Sequence, residues 1–355
     1  MTSPLVGLPE IEAAAERIRD VAVRTPLINV TCTDARRGRP SGRPETIALK
    51  CEQMQPMGAF KIRGAYNFLA QLPPDARIRG VITYSSGNHG QAVALAAQRL
   101  GLPAVIVMPE TAPRVKVDGV RRYGGDVIFA GTTSVDRRAR AEAEAAARGL
   151  TIVPPFDHPW IIAGAGTCGL EILEQCPDAA AVYVPVGGGG LISGIAAAIK
   201  GSLRRAEGTG AGGRRSVRVI GVEPSGAAKM SASRAAGRPV RLERTSSIAD
   251  GLLPLQPGDL TFAHVQAFVD DIVTVDDEAI AAAVGWLFRE AQVTAEPSGA
   301  ASVAAVRSVA AVRSVRLQAD RMAEGRTVAV ISGGNVSPED FARYVPSSPL
   351  PGSLK

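Results

Sequence analysis

The stretch AVYVPVGGGGLISG, at residues 181–194, decides how the rest of the chain is interpreted. An apolar strand, 181–186, runs into four consecutive glycines and then into a helix. Consecutive glycines allow backbone N–H groups to converge on an anion, and the helix dipole adds positive potential. The stretch lacks the GK[ST] ending of a P-loop and the GxGxxG spacing of a dinucleotide site. It therefore predicts a loop that binds phosphate without a nucleotide, with a plain tight turn as the alternative.

Apolar strands alternate with alanine-rich helices on both sides of this loop, which is typical of parallel α/β sheets. One series of strands is predicted at 80–84, 104–108, 126–130 and 151–153. A second series is predicted at 181–186, 217–222, 272–275 and 327–331, and a strand at 46–51 is expected to join it.

This order predicts an α/β fold with two open, twisted, mainly parallel sheets flanked by helices and linked by right-handed crossovers. We expect a large discontinuous domain, 1–79 and 150–355, with a small α/β domain, 80–149, inserted into it. The cleft between two such sheets is where a ligand is expected.

Lysine-dependent chemistry has few candidates, because only six of the forty basic residues are lysines. Lys61 lies in MGAFKIRGAYN, residues 57–67, between the apolar Phe60 and Ile62. An apolar setting disfavours the ammonium form and lowers its pKa. Schiff-base chemistry needs such a lysine. The alternative is a lysine that extends to solvent from the start of a helix.

Two further strand ends carry polar groups. In YSSGNHGQAVALAA, residues 84–97, Ser85, Ser86, Asn88 and His89 precede or open a helix, a setting that suits a carboxylate. In VISGGNVS, residues 330–337, a strand delivers Ser332 to a glycine turn, and the alternative is a simple strand end.

Together these segments resemble the fold-type II (tryptophan synthase β-like) pyridoxal-phosphate enzymes, specifically the threonine dehydratase and serine racemase family. The resemblance extends from about residue 20 to 340. It rests on seven segments that occur in the family's order: FKIRGA, SSGNHGQA, PVGGGGLISG, GVEP, SIADGL, EPSGA and ISGGN.

The resemblance implies a role for each matching residue. Lys61 would form the Schiff base with pyridoxal 5'-phosphate and then remove the Cα proton of the substrate, while Phe60 would pack against the cofactor ring. Asn88 would bind the ring hydroxyl, and Ser332 the ring nitrogen. The cofactor phosphate would be held by Gly187, Gly188, Gly189 and Gly190. The substrate would be bound by Ser85, Ser86, Asn88, His89, Gly90 and Phe156.

The same resemblance implies a reaction. A neutral hydroxyl at Ser332 cannot keep the ring nitrogen protonated as an aspartate would, which favours β-elimination over transamination. The expected activity is that of an ammonia-lyase, which dehydrates and deaminates L-threonine or L-serine to a 2-oxo acid and ammonia. Phe156, where racemases usually carry asparagine, favours this interpretation.

Three alternatives stay open. Ser86 matches the hydroxyl that serine racemases use on the second face of Cα, so racemization is one. Dehydration of another 3-hydroxy amino acid, of the hydroxyaspartate or phenylserine type, is the second. The third is a catalytically silent metabolite-binding protein on the same scaffold.

A departure from the family concerns metal ions. In racemases and some dehydratases the glutamate of GVEP, here Glu223, forms a Mg²⁺ or Ca²⁺ site with an acid six residues later and a backbone carbonyl. This chain has Lys229 at the second position. The hypothesis is an ion pair between Lys229 and Glu223 that makes a divalent cation unnecessary; the alternative is an exposed Lys229.

Composition excludes other classes of protein. The net charge of +6 comes from arginines scattered among acids, and aromatic residues make up only 4%, so no nucleic-acid partner is expected. The four cysteines show no zinc-ligand spacing, and we expect neither a signal peptide nor a membrane span. We expect a cytoplasmic enzyme whose substrate is an amino acid, a small molecule, and the resemblance implies a homodimer or homotetramer.

Overall fold

The computed structural model describes residues 4–32, 45–85, 87–112, 114–209, 216–308 and 325–345. Within these ranges one sheet has six strands, parallel except for its first, which pairs antiparallel with the second. In spatial order the strands are β1 (Leu27–Cys32), β2 (Glu45–Cys51), β10 (Arg326–Ile331), β7 (Ala179–Pro185), β8 (Arg218–Pro224) and β9 (Asp271–Val275).

A second sheet of the described residues has four parallel strands. In spatial order they are β5 (Asp126–Phe129), β4 (Ala104–Met108), β3 (Val81–Tyr84) and β6 (Thr151–Ile152). The predicted α/β fold class is confirmed, as is the pairing of the strand at 46–51 with the larger sheet, through β10. The proposed domain boundaries stay a prediction; β6 lies just past the expected end at 149.

Helices cover both sheets. They are α1 (Leu8–Ile18), α2 (Lys61–Leu69), α3 (Pro74–Arg79), α4 (Asn88–Leu100), α5 (Arg114–Arg122), α6 (Ser134–Arg148), α7 (Pro159–Gln175), α8 (Gly190–Gly208), α9 (Lys229–Ala236), α10 (Asp259–Phe268), α11 (Asp277–Ala291), α12 (Pro297–Arg307) and α13 (Pro338–Tyr344). Short 3₁₀ turns occupy Glu52–Met54, Ser225–Ala227 and Asp250–Leu252. None of the described helices is long and apolar enough to cross a bilayer.

The strands of the larger sheet are apolar because helices bury both of its faces. All seven residues of β7 are buried, and they read AAAVYVP, without the polar alternation of a half-exposed strand. The glycine run therefore begins at the end of a fully buried strand. Its position is fixed by the core of the sheet.

A buried ionic network holds α2 in place. Arg63, 1% exposed, donates from Nε to Glu52 Oε2 at 2.7 Å and from Nη1 to Glu171 Oε1 at 2.7 Å. Lys50 Nζ also donates to Glu171, at 2.5 Å. Burial alone would raise the pKa of Glu52, but the adjacent Arg63 lowers it overall. Removing one partner of such a network leaves a buried charge uncompensated, so the network fixes the helix that begins with Lys61.

Candidate active site

Lys61 is the first residue of α2 and lies at the cleft between the two sheets. Its Nζ donates to the carbonyl oxygen of Pro155 at 2.7 Å and lies 5.1 Å from the centre of the Phe60 ring. Burial lowers the pKa of the Lys61 ammonium to about 8. At pH 7.5 this leaves about a quarter of the side chain neutral, against roughly one part in a thousand for an exposed lysine. The Lys61 side chain is half-buried, and the predicted lowering of its pKa is present.

The turn before Lys61 is held against the end of β10. The backbone N–H of Phe60 donates to Ser332 O at 3.1 Å, and Gly334 N–H donates to Gly58 O at 2.9 Å. Ala59 and Gly333 form an isolated antiparallel bridge between these two hydrogen bonds. Two segments that are far apart in sequence, each with a predicted cofactor residue, are thus joined directly.

The glycine loop connects β7 to α8, and its backbone is shaped for a compact turn. Gly189 caps the helix at φ +101°, a conformation that L side chains rarely adopt. A Cβ on Gly187 would lie 2.9 Å from the backbone oxygen of Gly251, and one on Gly188 would collide with the Phe156 ring. The loop therefore requires glycine at these positions. The first N–H groups of α8 have no intrahelical acceptor, because a helix leaves its first four donors free.

The loop and the lysine face the same space. Phe156 contacts the loop at Gly188 and Gly190, and the preceding residue, Pro155, accepts the Lys61 hydrogen bond. The adjacent residues Pro155 and Phe156 thus connect Lys61 to the glycine loop. Phe156, predicted as a substrate residue, is placed against the glycine loop.

Asn88 is the first residue of α4 and bridges the two sheets through its side chain. Its Nδ2 donates to Glu296 Oε1 at 2.6 Å, and its Oδ1 accepts from Asn335 Nδ2 at 2.8 Å. Nδ2 also lies 3.1 Å from where a Cβ on Gly333 would stand. The amide therefore lies beside the loop that carries Ser332, as a ligand for a ring hydroxyl would.

Glu296 is a buried carboxyl group that we did not predict as a site residue. It precedes α12 and is 5% exposed. Burial, with Asp250 nearby, raises the pKa of Glu296 to about 8, although Lys116 and the Asn88 amide oppose the shift. The carboxyl group is therefore mostly protonated at neutral pH. The EPSGA motif, residues 296–300, was the signal in the sequence that could have identified it.

Ser332 follows the last residue of β10 and is buried, at 5% exposure. Its Oγ lies 3.5 Å from Ser298 O, a distance too long for a strong hydrogen bond. The hydroxyl group therefore remains free to turn towards another partner. This placement agrees with the predicted role towards a pyridine nitrogen.

The polar residues around α4 have different partners. Ser85 Oγ accepts from Gly87 N–H at 3.1 Å and so supports the turn. The Gly90 N–H donates to Gly87 O at 3.1 Å, and a Cβ on Gly90 would lie 2.8 Å from Ile106. These contacts leave the first backbone N–H groups of α4, at Asn88 and His89, without an acceptor within the helix. Ser86 lies outside the described residues.

His89 turns its ring into the protein. Its Nε2 lies 3.2 Å from Val153 O, and since a carbonyl oxygen only accepts, Nε2 carries the hydrogen. Burial, together with the nearby Lys61, lowers the pKa of His89 to about 3. The ring is therefore neutral, and any contribution of His89 to a carboxylate comes from its backbone.

An ion pair joins the two sides of the cleft at its mouth. Lys116 Nζ, on α5, pairs with Asp250 Oδ2. Asp250 begins the 3₁₀ turn Asp250–Leu252, which belongs to the part of the chain that forms the larger sheet. Nζ lies 3.6 Å from where a Cβ on Gly87 would stand, so the pair borders the SSGNHG turn. We did not predict either residue as part of the site.

The expected pairing of Lys229 with Glu223 is present. Lys229 Nζ lies 3.1 Å from Glu223 Oε1, and both side chains are fully buried, so the exposed alternative is wrong. Among the described residues no three His, Cys, Asp or Glu side chains group as metal ligands would.

Comparisons with known proteins agree with this geometry. A family model described as "Pyridoxal-phosphate dependent enzyme" matches residues 18–333. The chain is 41% identical over 342 residues to an L-threonine ammonia-lyase of Thermotoga maritima, covering 96% of this chain and 78% of that protein. It is 40% identical over 339 residues to the biosynthetic L-threonine dehydratase of Escherichia coli, covering 95% of this chain but only 62% of that protein.

Among solved structures, that of maize serine racemase superposes with a TM-score of 0.85 at 37% identity, over 96% of this chain and 97% of that one. The residues present fit the cofactor: a desolvated lysine, a glycine loop at a helix N-terminus, a side-chain amide and a buried hydroxyl surround one cleft. The chain therefore belongs to the fold-type II family of pyridoxal-phosphate-dependent enzymes that contains the threonine dehydratases and serine racemases.

Proposed function

We propose that the chain dehydrates and deaminates a β-hydroxy amino acid, with L-threonine or L-serine as the substrate. One threonine molecule would give one 2-oxobutanoate and one ammonium ion, because the water lost from Cα and Cβ is regained when the product imine is hydrolysed. The observation that carries the proposal is Lys61. Its Nζ has a carbonyl oxygen, with no carboxylate, as its partner among the described residues, and partial burial lowers its pKa to about 8.

Pyridoxal phosphate, when bound, withdraws electrons from Cα and so acidifies the Cα–H bond. The chain itself must then supply a base. Lys61 Nζ in its neutral form accepts that proton, and the lowered pKa makes this form available near neutral pH. An amine with an ordinary pKa would be almost fully protonated.

The remaining groups orient the reactants. The free N–H groups at the start of α4 bind the substrate carboxylate. Asn88 is held by Glu296 and Asn335 and so presents its remaining amide hydrogen in a fixed direction. Ser332 offers a neutral hydroxyl, which cannot keep a proton on a pyridine nitrogen as a carboxylate would. These features support loss of a β-substituent over transamination.

The experiment is an assay of the holoenzyme on L-threonine, L-serine, phenylserine and 3-hydroxyaspartate, with 2-oxo acid as the readout. We expect turnover of one of the first two substrates. Lys61→Ala should abolish turnover, and borohydride should fix the cofactor covalently to Lys61 in the unchanged protein only. Absence of 2-oxo acid from every substrate, with the cofactor bound, would contradict the proposal and favour a metabolite-binding role.

Serine racemization is the second candidate, supported by the similarity to maize serine racemase and by Ser86 in the sequence. It requires a proton donor on the face of Cα opposite Lys61. The same assay with D-serine as the readout tests it. If Ser86→Ala abolishes D-serine formation and leaves 2-oxo acid formation intact, the chain is a racemase as well as a lyase.

A further inference from the structure

The ammonium group of Lys229 lies inside a cage of oxygen atoms beside the phosphate loop. Its Nζ donates to Val186 O at 2.9 Å, to Ala227 O at 3.0 Å and to Leu252 O at 3.0 Å. Glu223 Oε1 is the fourth oxygen, at 3.1 Å. The lysine side chain is 0% exposed, so water does not compete for these contacts.

The number of acceptors assigns the charge of this lysine. A protonated amine has three hydrogens and no lone pair, whereas a neutral amine would direct its lone pair at one of these oxygens. Three carbonyl oxygens and a carboxylate therefore fit the ammonium form. The partners of Glu223 are also those of a carboxylate. Its two oxygen atoms accept from Met230 N–H, Ser231 N–H and Ser231 Oγ at 2.8–2.9 Å.

The cage joins three segments that surround the phosphate loop, the glycine run at 187–190. Val186 is the residue before the first glycine of the loop. Leu252 belongs to the 3₁₀ turn that holds Gly251, whose carbonyl oxygen borders Gly187, and Asp250, the partner of Lys116 at the cleft mouth. The third carbonyl comes from the 3₁₀ turn before α9. One buried cation thus cross-links the phosphate loop to the turn opposite it.

A divalent cation does not fit these residues. The family resemblance places Mg²⁺ or Ca²⁺ between Glu223 and an acid at position 229, but here the oxygen atoms that would ligate it surround Nζ. A second cation within the same cage would be repelled by the ammonium at close range in a dry environment.

We propose that Lys229 is a built-in cation that replaces a divalent metal ion in holding the phosphate loop. The loop's position, and with it the affinity for pyridoxal phosphate, then depends on the Lys229 ammonium and is independent of Mg²⁺ and Ca²⁺. The proposal concerns loop structure and cofactor binding, so it stands whichever substrate the enzyme takes.

The test uses the holoenzyme and measures melting temperature and the Kd for pyridoxal phosphate, in EDTA and in millimolar Mg²⁺ or Ca²⁺. The unchanged protein should show the same values in all three conditions. Lys229→Met should lower the melting temperature by about 4–7 °C. It should also weaken cofactor binding at least about tenfold, the equivalent of one charge-assisted hydrogen bond, with no rescue by either metal.

Lys229→Asp should behave differently, because it supplies a second carboxylate among oxygens that a hard cation prefers. We expect this variant to be unstable in EDTA and to regain melting temperature in Ca²⁺ or Mg²⁺. Lys200→Met is the matched control. Lys200 Nζ also contacts one carbonyl, Val217 O at 2.9 Å, and one carboxylate, Asp270 at 2.8 Å, but it is 19% exposed.

Three results would overturn the proposal: a melting temperature of the unchanged protein that falls in EDTA or rises with either metal, a Lys229→Met variant no more affected than Lys200→Met, or a folded Lys229→Asp variant indifferent to metal. If Lys229→Asp fails to fold without metal, expression and refolding in Ca²⁺ repeat the same test. In either case the melting temperature of the unchanged protein, compared in EDTA and in metal, still tests the proposal.

Discussion

Gly188→Ala should weaken cofactor binding through a steric collision with one identifiable side chain. A Cβ on Gly188 would lie against three ring carbons of Phe156, about 1.1–1.7 Å inside the separation at which carbon atoms normally pack. Gly188 is not among the glycines with positive φ, so alanine carries no backbone strain at this position. The collision can be relieved only if the loop or the ring moves by about that distance.

The expected change in Kd follows from the hydrogen bonds that the glycine loop would make to the cofactor. Its N–H groups are expected to donate charge-assisted hydrogen bonds to the cofactor phosphate, and losing one such bond costs about 1.5–3 kcal/mol. The Kd for pyridoxal phosphate should therefore rise by roughly 10- to 150-fold. The assay is a titration of the apoprotein with the cofactor, followed by absorbance. Gly208→Ala, at the far end of the same helix and with nothing within 4 Å of its Cβ, should leave the Kd unchanged.

The double variant decides the cause. Removing the ring with Phe156→Ala should restore the Kd of Gly188→Ala to that of Phe156→Ala alone, because the new methyl group then has space. Equal binding by Gly188→Ala and the unchanged protein would refute the steric reasoning. A double variant that binds no better than Gly188→Ala would refute the assignment of Phe156 as the obstacle.

Three further predictions follow from charges around the cleft. The rate at which the apoprotein captures pyridoxal phosphate should increase as pH rises through about 8, since the neutral Lys61 amine attacks the aldehyde. Stopped-flow absorbance measures this rate, and a midpoint of the rate above pH 10 would contradict the prediction. Arg63→Met should cost about 3–5 kcal/mol in urea unfolding, because Glu52 stays buried without its partner; an added Glu52→Leu should recover part of the loss. Folded Glu296 has a pKa of about 8 against 4.5 unfolded, so its contribution to stability declines as pH rises between these values. Glu296→Gln should therefore lose less melting temperature between pH 5 and pH 9 than the unchanged protein does. An equal loss in both proteins would contradict the prediction.

The sequence predicted the parts of the fold and site that depend on local patterns. Buried parallel strands read as continuous apolar runs, so β3, β4 and β7 lie close to where we placed them. The glycine loop was recognisable because its turn requires glycine, as φ +101° at Gly189 shows. Lys61 was recognisable from its apolar neighbours, and the structure agrees.

Contacts between distant segments were not predictable from one sequence. Asn88 meets Glu296 across 208 positions, and Lys116 meets Asp250 across 134, with no periodicity or motif to connect them. The inward direction of the His89 ring was not predictable either: the carbonyl of Val153, which follows the neighbouring strand β6, offers the ring a buried acceptor. The substrate role of His89 stays a prediction. Such partners are set by how the two sheets come together.

The pairing of the lysines explains why one of them is suited to chemistry. The structure describes five of the six lysines of the sequence. Four of them pair with carboxylates: Lys50 with Glu171, Lys116 with Asp250, Lys200 with Asp270, and Lys229 with Glu223. A nearby carboxylate stabilises the ammonium form and so holds its proton. Lys61 is half-buried and meets a carbonyl oxygen, so no carboxylate opposes the effect of burial and its pKa falls to about 8. Burial lowers the pKa of Lys229 as well, but Glu223 opposes that shift and four oxygen atoms surround the ammonium group, which Lys61 lacks. A carboxylate placed beside Lys61 would therefore turn it into a structural lysine of the same kind.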